Sequence, residues 1–399
     1  MFEIKGRYNT ALCYATVVED EAIEQIRRMC NYEFTEGSRI RIMPDVHAGK
    51  GCTIGTTMTV KDKAVPNVVG VDIGCGMYTV KLGAADLDLA RLDEAAHFIP
   101  SGMSVWDDRQ EPFDLKELRC YEELKHHTYL ECSLGTLGGG NHFIEVDASQ
   151  DGTKYLVIHS GSRNLGKQVA EYYQQQAIAL NKGMPQILEQ RERIIAEYKA
   201  AGRQQELQKA LKELRWQNRQ ATIPEDLCFV YGTCLQDYLH DVELCQRFAL
   251  RSRERMAQIL LSRCELSAVE AFHTIHNYID TGEMILRKGA IAAHAGERVL
   301  IPINMRDGSV LAVGKGNPEW NYSAPHGAGR VLSRTAALKQ LDIEEYRRQM
   351  AGVYSTSVSE STLDEAPMAY KRLEDIMGAI EEAVDVVEVL KPIYNFKAS

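Results

Sequence analysis

Four glycine-dense segments and a fifth that is rich in histidine, each carrying one or two strong ligand residues, are spread between residues 70 and 330 and constrain any fold this chain can adopt. They read GVDIGCGM (70–77), GTLGGGNHFIE (135–145), VIHSGSRNLG (157–166), FHTIHN (272–277) and SAPHGAGR (323–330). Glycine lets backbone approach a ligand closely and take positive φ. Asp72 and Cys75, three apart on one tight loop, could converge on one ion or could simply form a bulged turn around a buried cysteine. Asn141, His142 and Glu145 lead into a strand whose alternation would give His142 and Glu145 different partners. His159 ends a strand before a Gly- and Ser-rich turn that can point N–H groups at an anion, with Arg163 adding charge. His273 and His276 could share a helical face, or His276 could end its element. His326 sits between Pro325 and the space left by Gly327 and Gly329, with Arg330 as a phosphate fork.

A thiolate, a carboxylate and imidazoles are what divalent first-row metals take. The candidate ligands lie 67 residues apart from Cys75 to His142 and 117 apart from His159 to His276, whereas zinc-finger ligands come in close pairs. A site assembled from distant loops of one large domain is expected. Cysteine and histidine alone would point to zinc. AGKGCT (48–53) suggests a P-loop but lacks the first glycine of that motif, and His47 beside it receives no role from chemistry alone.

The rest of the chain supports a soluble α+β protein. It has 399 residues, 45% hydrophobic and 26% charged, with a net charge of −10, which argues against non-specific coating of nucleic acid. No apolar run reaches the roughly 18 residues of a membrane span, and MFEIKGRYNT lacks the layout of a signal peptide. Ten cysteines without a C-x-x-C pair suit reduced thiols in a cytoplasmic protein. Strands are expected at 39–43, 56–60, 78–82, 155–159, 299–303 and 309–313, and helices at 21–30, 86–98, 114–130, 167–180, 236–261 and 369–390. Their irregular order favours α+β over a doubly wound or barrel fold. The polar 184–220 stretch reads as an inserted helical hairpin with eight basic and five acidic residues, either a solvated pair of helices or an arm facing RNA or a partner. The 355–367 stretch reads as a flexible surface loop.

Taken together, MPDVHAGKGCTIGTT (43–57), VVGVDIGCGM (68–77), GTLGGGNHFIEV (135–146), VIHSGSRNLG (157–166), HNYID (276–280), RKGAI (287–291) and APHGAGR (324–330) resemble the signature segments of the RtcB family, in order, from about residue 40 to the C-terminus. These are GTP- and manganese-dependent ligases that join RNA 2′,3′-cyclic phosphate or 3′-phosphate ends to 5′-hydroxyl ends. The resemblance implies one ligase domain over 1–399 with a central cleft. Cys75 would bridge two Mn²⁺ ions, with Asp72 and His142 completing one site and His159 and His276 the other. His326 would take GMP from GTP. Asn141, Asn277 and the turn holding Pro302, Asn304 and Met305 would contact phosphates and sugar, with Gly327 and Gly329 beside them. Glu145, Ser309 and Lys397 would meet guanine, and Arg163 and Arg330 the RNA ends. The segment 302–308 reads PINMRDG where many members have a Pro-Gly-Ser-Met-Gly type turn, so the nucleotide shell departs from the family pattern there. A monomer is expected, with an accessory activating protein as a further partner and no membrane association. The alternative on the same residues is a dinuclear metal phosphodiesterase that opens cyclic phosphates and needs no GTP. A third is a non-catalytic RNA-binding relative, against which stands the presence of every inferred ligand.

Overall fold

Residues 40–47 and 54–59 are rich in β-branched side chains and almost wholly buried, as suits inner strands of a covered sheet. In the computed structural model, which describes residues 1–183, 193–198, 203, 206, 210 and 223–397, they lie at the middle of a six-stranded sheet. Its order is Phe2–Lys5, Thr10–Cys13, Ile40–His47, Ile54–Thr59, Ile285–Lys288 and Asn277–Asp280. A seven-stranded sheet runs Glu270–Ile275, Gly76–Gly83, Lys154–Ser160, Phe143–Ala148, Val384–Lys397, Gly308–Gly314 and Arg298–Asn304. Among the described residues every ladder is antiparallel except Thr10–Cys13 with Ile40–His47. The molecule is a mixed α/β fold, as the irregular alternation in the sequence anticipates.

Helix Gly232–Cys264 anchors the second sheet. Leu235, Tyr238, Val242, Cys245, Ala249, Ser252, Met256 and Leu260 recur every three or four residues and are buried, so one stripe faces inward. Each large apolar side chain on that stripe contributes about 1.5–3 kcal/mol on burial. The stripe packs on Arg163–Asn181, Leu89–Phe98 and strand Lys154–Ser160. Arg253 breaks its apolar character. Fully buried, it donates from Nη1 to the carbonyls of Gly74 (2.8 Å) and Ser160 (2.7 Å), joining two of the glycine-dense loops.

All six expected strands form, extended by a few residues at their ends, as do the helices at 21–30, 86–98, 167–180 and 236–261. Three expectations fail. The 114–130 stretch is broken into short 3-10 turns at Leu115–Glu117 and Tyr121–Glu123 before helix His127–Cys132. The 369–390 stretch holds a one-turn helix, Leu373–Met377, and then the long strand Val384–Lys397. The 355–367 stretch is no loose surface loop: Glu360–Glu365 is a 3-10 turn with Thr362, Leu363, Asp364 and Glu365 buried. The hairpin expected at 184–220 lies for the most part outside the described residues. All ten cysteines are free thiols, and among the described residues no helix is long and apolar enough to cross a membrane.

Candidate active site

Four neighbouring strands of the seven-stranded sheet end together, and the ligand candidates sit on those ends. Ile275 pairs with Gly76, Met77 with His159, and His159 with Phe143. That register brings His276, Cys75, His159 and His142 into one row at one edge, although they are far apart in sequence. Cys75 Sγ lies 3.5 Å from His142 Nε2 and 3.3 Å from His159 Nε2, and His159 Nε2 is 3.4 Å from His276 Nε2. Asp72 Oδ2 is 3.0 Å from His142 Nε2. Gly161 permits this approach, since a Cβ there would fall 2.1 Å from Asp72 Oδ1.

The imidazoles are oriented from behind. His142 Nδ1 donates to Leu137 O (2.8 Å) and His159 Nδ1 to Asn141 O (3.0 Å), which leaves both Nε2 lone pairs facing the thiol. Burial, reinforced by neighbouring histidines, drives His159 and His276 well below the usual imidazole range, so both rings are neutral and able to ligate. Burial and the Asp72 charge push the Cys75 thiol well up. Burial also opposes ionisation of Asp72, yet its polar neighbours, Cys75 and Arg163 among them, hold its carboxyl below the usual range. The single thiol proton can meet only one of these two Nε2 lone pairs, and Asp72 Oδ2 faces the same His142 nitrogen, so a cation among them would satisfy donors that one proton cannot. The donor set therefore fits a metal, and it divides into Asp72, Cys75, His142 and Cys75, His159, His276, with Cys75 common to both.

His276 is also where the chain leaves one sheet for the other, between strands Glu270–Ile275 and Asn277–Asp280. Across that junction its ring lies 4.8 Å, centroid to centroid, from His326. His326 Nδ1 donates to Asp45 Oδ2 at 2.7 Å, and His326 N reaches the same oxygen at 3.2 Å. Asp45 is fully buried in strand Ile40–His47. Held this way, His326 carries its lone pair on Nε2. Gly329, at φ +75°, keeps the following turn close, because a Cβ there would lie 2.5 Å from Asp45 O.

A cavity of about 310 Å³ opens onto these groups. Asp72, Cys75, His159, His276, His326, Asn141, Glu145, Asn277, Pro302, Asn304, Met305, Gly327, Gly329, Arg330 and Lys397 all line it. His142 reaches the centre through its contacts with Cys75 and Asp72. His142 itself does not line the cavity, and neither do two further expected residues. Ser309 is fully buried beside Asp147. Arg163, at φ +60° where helix Arg163–Asn181 opens, donates to Thr136 Oγ1 (3.1 Å) and Gly102 O (2.6 Å). Asn277 Oδ1 accepts from Gly289 N (3.0 Å), and Asn304 turns its amide onto Asp307 (2.8 Å).

Sequence reasoning missed Asp45 and Glu365. Asp45 lies in the MPDVHAG segment, where attention fell on His47, and only its contact with His326 reveals it. Glu365 gathers Lys397 (2.7 Å), Arg330 (3.2 Å), Arg334 (3.2 Å) and the hydroxyl of Tyr370 (2.6 Å) at the cavity wall. Although burial opposes its charge, Lys397 and Arg334 hold its carboxyl down at about 2. His273, by contrast, stacks on Tyr78 away from the centre. The further group Asp280, Glu283 and His294 is already paired internally and with Arg287.

Fold and site together define a mixed α/β enzyme whose thiol–imidazole cluster, a candidate metal centre, faces a carboxylate-held histidine. The sequence model of the family described as tRNA-splicing ligase RtcB matches residues 25–119 and 114–398. The chain is 33% identical to the RNA-splicing ligase RtcB of Escherichia coli K12 and to RtcB1 of E. coli ATCC 25922, in each case over 95% of both chains. It is 25% identical to the tRNA-splicing ligase RtcB of Aeropyrum pernix over 88% of this chain and 86% of that one. The chain belongs to the RtcB family of RNA ligases.

Proposed function

We propose that residues 1–399 form one GTP- and Mn²⁺-dependent RNA ligase domain that joins 2′,3′-cyclic phosphate or 3′-phosphate ends to 5′-hydroxyl ends, working in RNA repair or tRNA splicing in the cytoplasm. One observation carries this reading: a shared thiol between two ligand triads stands beside a histidine whose Nδ1 is held by a buried aspartate. Two divalent ions, held by Asp72, Cys75 and His142 and by Cys75, His159 and His276, would supply Lewis-acid stabilisation of phosphate charge. His326 Nε2 attacks the α-phosphorus of GTP, pyrophosphate leaves, and Asp45 offsets the positive charge that grows on the ring. Water first opens a cyclic end, adding to phosphorus as the P–O2′ bond breaks and leaving a 3′-phosphate and a 2′-hydroxyl. The RNA 3′-phosphate then takes the guanylate from His326, and the 5′-hydroxyl attacks that activated end and expels GMP. Asn141, Asn277, Pro302, Asn304, Met305, Gly327 and Gly329 would position the nucleotide, with Glu145, Ser309 and Lys397 toward the base. Arg330 and Arg163 would hold RNA end phosphates, Arg163 after releasing Gly102 O.

The test is incubation with α-labelled GTP and MnCl₂, denaturing electrophoresis and peptide mapping. Label is expected on His326, dependent on metal and absent with γ-labelled GTP. His326→Ala should abolish it with metal content unchanged. Label persisting on that variant removes the nucleophile assignment. Cyclic-phosphate opening with no adduct in reduced, metal-loaded protein would favour the phosphodiesterase instead.

A further inference from the structure

The cavity wall holds more buried acid than nucleotide transfer uses. Glu145 and Asp147 stand two apart on strand Phe143–Ala148, so both side chains leave the same face. Glu145 is 2% exposed and Asp147 is fully buried. Asn395, opposite Glu145 on strand Val384–Lys397, donates from Nδ2 to Glu145 Oε2 at 2.5 Å. Among the described residues neither carboxylate oxygen of Asp147 receives a hydrogen bond, although the Ser309 hydroxyl lies beside it. The other neighbouring strand, Lys154–Ser160, presents Val157 and Tyr155 at these positions. Lys397 is a cation facing Glu145, and Glu365 already holds its ammonium at 2.7 Å. Two buried carboxyls so placed are stable neighbours only when a proton lies between them. Consistent with that, burial pushes both up, and the Asp147 charge pushes Glu145 further.

We propose that Glu145 and Asp147 form a shared-proton carboxyl pair, in which Asp147 and Asn395 are positioning residues that set the pH range over which the cavity prefers guanine to adenine. The proposal rests on the reading above that Glu145 faces the base. An ionised carboxylate presents two acceptors, which match the adjacent N1–H and N2–H donors of guanine. A protonated carboxyl presents one donor and one acceptor, which adenine satisfies equally well through N1 and N6. Guanine preference is therefore complete above the raised Glu145 pKa and is lost as pH falls through it.

The test is equilibrium binding of the α,β-methylene analogues of GTP and ATP, which cannot transfer their nucleotide, to metal-loaded protein across pH. In the wild type, affinity for the GTP analogue should fall on acidification while that for the ATP analogue rises. Asp147→Asn replaces the competing acid with an amide donor and should move the acid limb down by about one pH unit or more. Asn395→Asp adds a third carboxyl and should move it up. An acid limb unmoved in both variants, with metal content intact, overturns the proposal. Glu145→Gln separates the two readings: if it keeps the wild-type preference for the GTP analogue, it is the base assignment of Glu145 that fails.

Discussion

At the scale of single residues, Asp45 decides what His326 can do. With Nδ1–H committed to a buried carboxylate at 2.7 Å, the ring has one tautomer and one orientation, and Nε2 is free to react. Asp45→Asn would keep the shape but can present its amide N–H to Nδ1, reversing the tautomer. Guanylate transfer to His326 should fall by about 10²- to 10⁴-fold with metal content unchanged. Elemental analysis and a single-turnover labelling assay check both halves, and a near wild-type rate would remove the orienting role. None of this could be read from the sequence. Asp45 is one acid among 56 acidic residues, and its partner is 281 positions away. The metal candidates were legible because most of these unusual residue types coincide with glycines, as with Cys75 between Gly74 and Gly76. Which histidines face one another became clear only from the strand register.

At the scale of elements, Arg253 shows how a core helix serves the site. Its Nη1 satisfies Gly74 O and Ser160 O, the backbone beside Cys75 and His159, from the buried stripe of helix Gly232–Cys264. Arg253→Met fills similar space but leaves those carbonyls without their donor, at a cost of about 1–3 kcal/mol each. The variant should lose metal affinity as well as stability, read by metal titration and denaturant unfolding. Lower stability with unaltered metal affinity would mean that the arginine supports only the core. The helix itself was evident from its periodicity, whereas strand Val384–Lys397 was not. VDVVEVL places valines at intervals that suit a helical stripe and a strand alike, and Pro392 counts against a central strand. Pairing with Phe143–Ala148 on one side and Gly308–Gly314 on the other settles it, and a register shift between Pro392 and Tyr394 accommodates the proline. The polar 355–367 stretch misled for a related reason, because Glu365 is buried by the Lys397, Arg330 and Arg334 cations that it collects.

At the scale of the whole molecule, the site forms where two sheets exchange the chain. His276 joins them, the other candidate metal ligands hang from the seven-stranded sheet and its loops, and Asp45 belongs to the six-stranded one. A cation held at this seam should stabilise the folded state as a unit, by about 2.7 kcal/mol at a free concentration a hundredfold above Kd. For a chain of this size that corresponds to a rise in Tm of a few degrees. The rise should depend on pH with a definite sign. Without metal the Cys75 thiol holds its proton more tightly than usual, and a metal displaces that proton, so binding releases protons and strengthens as pH increases. The Mn²⁺-induced shift in Tm should therefore grow between about pH 6 and pH 8. It should vanish in Cys75→Ala, whose metal-free Tm should stay near that of the metal-free parent, because no ion depends on that thiol there. A Tm shift of equal size at both ends of the pH range, or one retained in Cys75→Ala, would mean that the stabilising ion binds away from the shared thiol.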